Sequence, residues 1–371
     1  MSYLKVGLFH PTLNACGGAE WVAFKLINTL SQRNHKIITL TNEKIDQNRI
    51  KTIFGEKVNV DSELVFPFKL FSPTDLHNVY TDGLRTLFLK THCDVLIDTE
   101  SNALLPGVNI TYVHFPLLGR LEDYKNFRSK QVRARLLYFE PYHFYERRES
   151  RNPKRIVFSN SMYTGNAMRR FGMKPTLLYP PISNAYYLNS NEESNRDNVV
   201  VTVARIDPGK RLSEIPKIAK LTNKSIRFLI IGLKQSQQEL NKILEEIDRN
   251  RVSDRVEVMT NLSQERLQNI LCTSKIYLHM SRGEHFGVSL AQAMASGCIP
   301  IAYDAGGPRE FVPERYRFRE LDDAAGKIEK AISDWTPQES KRISNMARLF
   351  SEDNFSSTFL NLFDSYIARF Y

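Results

Sequence analysis

One pattern constrains this chain more than any other, and it runs twice. A short buried strand passes through a glycine-bearing loop into an amphipathic helix, which returns to a second strand. In the first copy the apolar run predicts a strand over Leu4 to Phe9, a loop to Gly17 and a helix from Ala19 to Arg33. Val22, Ala23, Leu26, Ile27 and Leu30 form the buried stripe of that helix, and Lys36 to Leu40 is the next strand. Strands joined through a helix pair in parallel, with a right-handed crossover. Further strands are expected at Asp94 to Ile97, Asn109 to Val113 and Arg155 to Phe158.

A polar stretch, Asn189 to Asn198, carries no apolar residue and reads as a linker. The pattern then restarts. Strands are expected at Val199 to Ala204, Ile226 to Ile231, Val256 to Met259, Ile276 to Met280 and Ile299 to Tyr303. A helix from about Ser236 to Ile247 starts on a capping-box pattern, Ser236 with Glu239. The fold class is therefore α/β: two doubly wound, Rossmann-like domains, residues 1–188 and 198–354, facing across a cleft. The amphipathic tail, residues 355–371, is expected as a C-terminal helix returning to the first domain. Ligands of such folds bind at the carboxyl ends of the strands.

With 371 residues, 42% hydrophobic and 25% charged, the chain is neither disordered nor a disulfide-stapled miniprotein. Its net charge of +10 suggests an anionic partner such as a phosphorylated ligand, nucleic acid or an acidic membrane. Cys16, Cys93, Cys272 and Cys298 are widely spaced, which disfavours a zinc site or redox pair and fits a reducing compartment. No apolar run approaches the roughly 20 residues of a spanning helix, and Val6 to Phe9 is too short for a signal peptide. A soluble or peripheral cytoplasmic protein is expected.

Three loops carry chemistry. Asn14-Ala15-Cys16-Gly17-Gly18-Ala19-Glu20 opens the first helix, where glycine permits close backbone approach and free N–H groups suit phosphate. A plain strand-to-helix turn has the same form, and the spacing is not the dinucleotide fingerprint. Ala204-Arg205-Ile206-Asp207-Pro208-Gly209-Lys210-Arg211 leaves the first strand of the second domain. Its Arg205 and Lys210 could clamp a diphosphate, or lie in a solvated turn. Ser281-Arg282-Gly283-Glu284-His285-Phe286-Gly287-Val288-Ser289 opens another helix, pairing amides for phosphate with an acid for sugar hydroxyls. A capped helix with a charged loop reads equally well there.

These three loops, in this order, resemble the family-4 glycosyltransferases of the GT-B fold. Within that family the likeness is greatest to the α-1,2-mannosyltransferases that extend lipid-linked oligosaccharides. Phe9-His10-Pro11 with Asn14-Ala15 and the paired glycines carry it, as do Tyr112-Val113-His114-Phe115-Pro116 and Glu284-His285-Phe286-Gly287 with Gly306-Gly307-Pro308. The resemblance implies retaining transfer of a hexose, with mannose from GDP-mannose the leading donor. The first domain then serves the acceptor and the second the nucleotide sugar. It implies that Gly17 and Gly18 line the donor phosphate, that Arg205 and Lys210 neutralise it, and that Glu284 contacts sugar hydroxyls. The amides of Phe286, Gly287, Val288 and Ser289 complete the cradle, and His114 sits by the reacting sugar. The family's second acid falls on Gln292, so altered donor contact is expected there. The N-terminal membrane segment of the eukaryotic relatives has no counterpart, which suggests a prokaryotic-type peripheral protein.

No D-x-D carboxylate pair stands at a strand end, so no cofactor and no metal are expected; cations of the chain take the metal's place. From Lys125 to Arg155 there are ten Lys or Arg and three Glu, interleaved with aromatics. Arg133, Arg135, Arg147 and Arg148 in this segment could hold a lipid-linked acceptor or an anionic membrane face, or form a solvated helix over a core. Nucleic acid is the weakest partner, since no RNA-binding motif accompanies the charge. A UDP-sugar enzyme and a binder without catalysis are the alternatives.

Overall fold

A computed structural model describes residues 3–66, 78–116, 140–142, 144–187, 196–233 and 235–371. The chain divides into two compact units, residues 1–181 with 355–371, and residues 182–354.

The first unit is built on seven parallel strands in the order β3-β2-β1-β4-β5-β6-β7. They are β1 Lys5–Phe9, β2 Lys36–Thr41, β3 Ser62–Val65, β4 Val95–Asp98, β5 Ile110–Val113, β6 Ile156–Ser159 and β7 Thr176–Leu177. β1, β4 and β5 are almost wholly buried, as strands covered by helices on both faces must be. The helix Gly18–Ser31 buries Trp21, Val22, Phe24, Leu26 and Ile27 against this sheet. The C-terminal helix Glu352–Phe370 adds Phe355, Phe359, Phe363 and Tyr366 to the same core.

The second unit carries six parallel strands in the order β10-β9-β8-β11-β12-β13. These are β8 Asp197–Val203, β9 Arg227–Gly232, β10 Val256–Thr260, β11 Ser274–His279, β12 Ile299–Tyr303 and β13 Arg317–Phe318. Ser236 caps the helix Gln237–Asn250, its hydroxyl accepting from Glu239 N at 3.1 Å.

The second unit begins earlier than the polar stretch suggests. Ile182 N donates to Phe350 O at 2.6 Å, and the Tyr187 hydroxyl donates to Ala347 O at 2.8 Å. Residues 188–195 of that stretch lie outside the described residues. Its end is no linker: Arg196 is buried, and its guanidinium donates to the carbonyls of Leu271, Ser274 and Ser296. Burial of an arginine requires such acceptors, which composition alone does not reveal.

All four cysteines are free thiols. Among the described residues no helix is long and apolar enough to cross a membrane.

Candidate active site

In the second unit, sheet order assembles the site. β8 lies between β9 and β11, and β12 follows β11, so the loops leaving β8, β11 and β12 emerge side by side at the carboxyl edge. Lys210, after β8, meets Glu284, after β11, with Nζ 2.8 Å from Oε2. The last residue of β11, His279, places Nε2 3.6 Å from the same oxygen.

The electrostatics are one-sided. Burial lowers the His279 pKa to about 4, against the pull of Glu284, so the ring is neutral at pH 7. Burial pushes the Glu284 carboxyl up, but its neighbours prevail and it stays below the usual range. His279, then Lys210, and last His285 lower it, and of these Lys210 also donates a hydrogen bond to the carboxylate.

The Glu284 loop is gripped from behind. Gly307 N donates to Glu284 O at 2.9 Å. A Cβ on Gly306 would come 2.2 Å from Glu284 O, and one on Gly307 would come 2.0 Å from His285 O. Only glycine allows the β12 loop to lie this close. Phe286 is 2% exposed and packs on Phe311 and Phe350, so its side chain anchors the loop and leaves its backbone at the site.

Gly287, at φ +102°, caps the helix Val288–Ala295 and offers no side-chain oxygen to the first-turn amides. Those amides therefore point out of a helix start beside Lys210 and Glu284, an arrangement suited to an anion. The Ser289 hydroxyl is held 2.8 Å from the Tyr277 hydroxyl, which also donates to Val203 O. Gln292 stands one turn further along the helix and is half-buried.

Arg205 is not drawn into this group. Its side chain is exposed and, among the described residues, makes only a long pairing, 3.9 Å, with Asp207. The neighbouring Arg211 is committed to Glu214 by two hydrogen bonds, at 2.8 and 2.5 Å, and is not a free cation for a ligand.

In the first unit, Gly17 and Gly18 are exposed at the start of the helix Gly18–Ser31. The carboxylate of Glu20 accepts from Gly17 N at 2.7 Å and thereby fixes the turn. His114 follows β5. Its backbone N donates to Asn102 Oδ1 at 2.7 Å, and Nε2–H donates to Thr99 O at 3.0 Å. Asn102, held at φ +56°, also accepts from Phe115 N, so it clamps the strand end; the sequence reading missed it.

The basic segment resolves in part. Arg133 and Arg135 lie outside the described residues. Arg147 and Arg148 are exposed, while Tyr142 and Glu146, on the inner face of the same helical turns, are buried. The Arg155 side chain is buried against Leu105 O and Glu149 and is not part of a surface patch.

Residues 187–350 match the family model described as glycosyl transferases group 1. Over that stretch the chain is similar to the group 1 glycosyltransferases. The match spans the second unit almost end to end, and so covers the Lys210 and Glu284 loops. Over 81% of its length the chain is 24% identical to a GDP-Man:Man(3)GlcNAc(2)-PP-Dol alpha-1,2-mannosyltransferase of Candida albicans, and spans 60% of that relative. Over 97% of its length it is 22% identical to the enzyme of the same name in Dictyostelium discoideum, spanning 84% of it. Among solved structures, Anabaena HepE in complex with UDP and glucose superimposes with a TM-score of 0.71 at 14% identity, covering 98% of this chain and all of HepE. The architecture is thus GT-B, two Rossmann-like α/β units.

Proposed function

We propose that this glycosyltransferase moves mannose from GDP-mannose to a lipid-linked or glycan acceptor, with retention at the anomeric carbon and without a metal ion. The observation that carries the reading is the Lys210–Glu284 pair beside the uncapped start of the helix Val288–Ala295. The barrier to transfer lies in breaking the bond from sugar to diphosphate, while negative charge gathers on the leaving group. A lysine and a row of amides fixed before the reaction lower that barrier, because nothing need reorganise as charge develops. Glu284, held ionised, accepts hydrogen bonds from sugar hydroxyls. Arg205, exposed and weakly paired, is available to swing onto the phosphates. The resemblance assigns Gly17, Gly18 and His114 of the first unit to the donor phosphate and the reacting sugar. The two relatives named as GDP-Man:Man(3)GlcNAc(2)-PP-Dol alpha-1,2-mannosyltransferases support the donor and the acceptor class. The reaction would then take place at the cytoplasmic face of a membrane, with Arg147 and Arg148 toward an anionic surface.

The experiment is a screen of labelled nucleotide sugars with a membrane lipid extract, run with and without EDTA, followed by product identification. Transfer from GDP-mannose that survives EDTA supports the reading. Transfer only from a UDP-sugar would favour the second reading, which the UDP complex of HepE makes specific. No transfer from any donor, with nucleotide binding retained, would leave a binder without catalysis, for which Gln292 is the motive.

A further inference from the structure

The first unit contains a line of polar contacts that ties the Phe9-His10-Pro11 motif to the Gly17–Gly18 turn and to His114. We propose that His10 is a positioning residue of the transfer site: through Glu20 it holds the Gly17–Gly18 turn, and through Thr99 it holds His114. The inference rests on the transferase roles given above to Gly17, Gly18 and His114.

The geometry is specific. His10 follows β1, is wholly buried, and sits where the ends of β1 and β4 adjoin. On one side its Nε2 lies 3.5 Å from Glu20 Oε1, and the other oxygen of Glu20 accepts from Gly17 N at 2.7 Å. On the other side its Nδ1 lies 2.8 Å from Thr99 Oγ1, and the carbonyl of Thr99 accepts from His114 Nε2 at 3.0 Å. The Thr99 hydroxyl has its own acceptor in Phe9 O at 3.4 Å, so Nδ1–H is the donor in the His10–Thr99 contact. The two elements that the resemblance places at the donor phosphate and the reacting sugar thus face opposite nitrogens of one ring.

The ring also has a reason to be charged. The charged groups facing it are Glu20 on the helix Gly18–Ser31, and Asp98 and Glu100 at the end of β4. Burial pulls the His10 pKa down, but Glu20 first, then Glu100 and Asp98, raise it above the ordinary histidine value of 6.5. An imidazolium donates to Thr99 through Nδ1 and, through Nε2, faces the Glu20 carboxylate across 3.5 Å as a charge pairing rather than a formed hydrogen bond. A neutral ring with its proton on Nδ1 turns a lone pair toward the Glu20 carboxylate and slackens that arm.

Each arm has its own substitution. Asn places an amide near the Nδ1 position, and Gln places one near Nε2. In His10→Asn the Thr99 arm survives and the Glu20 arm fails, so KM for the donor rises about tenfold or more while kcat changes less. In His10→Gln the Glu20 arm survives and the Thr99 arm fails, so kcat falls about tenfold or more with KM near wild type. A merely structural histidine would lower stability in both variants without this split. Active wild-type enzyme with the same kinetic change in both variants, or with none, overturns the inference. Nitrogen NMR of His10 gives a reading that needs no activity: more than half protonated at pH 6.5 in the wild type, and less so in Glu20→Gln. A neutral ring at that pH overturns it as well, whereas wild-type protein inactive on every donor overturns only the transferase reading. His10, Glu20 and Glu100 also bring ligand atoms within 4.8 Å of one another, a spacing that could hold a cation. One equivalent of Mn²⁺ or Zn²⁺ retained after dialysis, and lost in His10→Asn, would make His10 a ligand and overturn the positioning role.

Discussion

Lys210 Nζ lies 2.8 Å from Glu284 Oε2, although 74 residues separate the two in the chain. The contact sets a cation against a largely buried carboxylate that stays below the usual range, beside a helix start. Lys210→Ala removes both the cation for the leaving group and the partner of Glu284. We expect kcat/KM for transfer to fall by about 100-fold or more, in steady-state assays of donor consumption. Circular dichroism should still show a cooperative melt, because the pair lies at the edge of the core. Full activity in this variant would remove the charge-stabilisation argument.

Gly307 lies where a side chain would collide with backbone. Gly307→Ala puts a Cβ about 2 Å from His285 O and forces the Glu284 loop away. The expected cost is more than about 2 kcal/mol of stability, with loss of the thermal shift that GDP or UDP gives the wild type. Differential scanning fluorimetry with and without nucleotide checks both. An unchanged melt would show that the loop yields freely.

Gln292 stands where the family's pattern has an acid. An ionised carboxylate accepts a stronger hydrogen bond from a ribose hydroxyl than an amide does. Gln292→Glu should tighten nucleotide binding about tenfold, equivalent to about 1.4 kcal/mol. Isothermal titration calorimetry of GDP and UDP measures this, and weaker binding would mean that the amide is matched to its ligand.

Two buried groups give the units opposite responses to acid. Burial raises Glu146 to about 7, although the Tyr142 hydroxyl and Leu104 N donate to it. Between its unfolded value near 4.5 and about 7 the native state holds the extra proton, so this residue's stabilising effect is lost as pH rises through that window. His279 has the reverse sign. The unfolded state holds the extra proton between about 4 and 6.5, so its effect is lost as pH falls. Glu146→Gln should stabilise the protein at pH 8 relative to wild type, by at most about 3 kcal/mol, with little gain at pH 5. Urea titrations at the two pH values test this; an equal effect at both would contradict the buried-acid account.

The inner strands of both sheets were legible because they are apolar on both faces. β1, β5, β9 and β12 stand in the sequence as mainly apolar runs, interrupted within the strand only at Gly7, Thr111 and Pro300. The strands β3, β7 and β13 were not legible. They are two to four residues long at sheet edges and only partly buried, so no run marks them. In the candidate site, residue types and loop positions could be read directly, including Lys210, Glu284 and the glycines behind them. Arg205 shows the limit of that reading: it leaves the same strand as Lys210, yet it faces solvent.

By itself, then, the sequence determined the alternation of strand and helix, the parallel pairing this forces, and the loops where backbone can approach a ligand. Those are local properties, written in burial period and in glycine. Strand order was decided only in the tertiary structure, and with it every contact that makes the site. Setting β8 beside β11 joins Lys210 to Glu284, and setting β1 beside β4 joins His10 to Thr99 across 89 residues. Such pairs arise from how whole sheets pack, and a polar side chain carries no local mark of the partner it will meet.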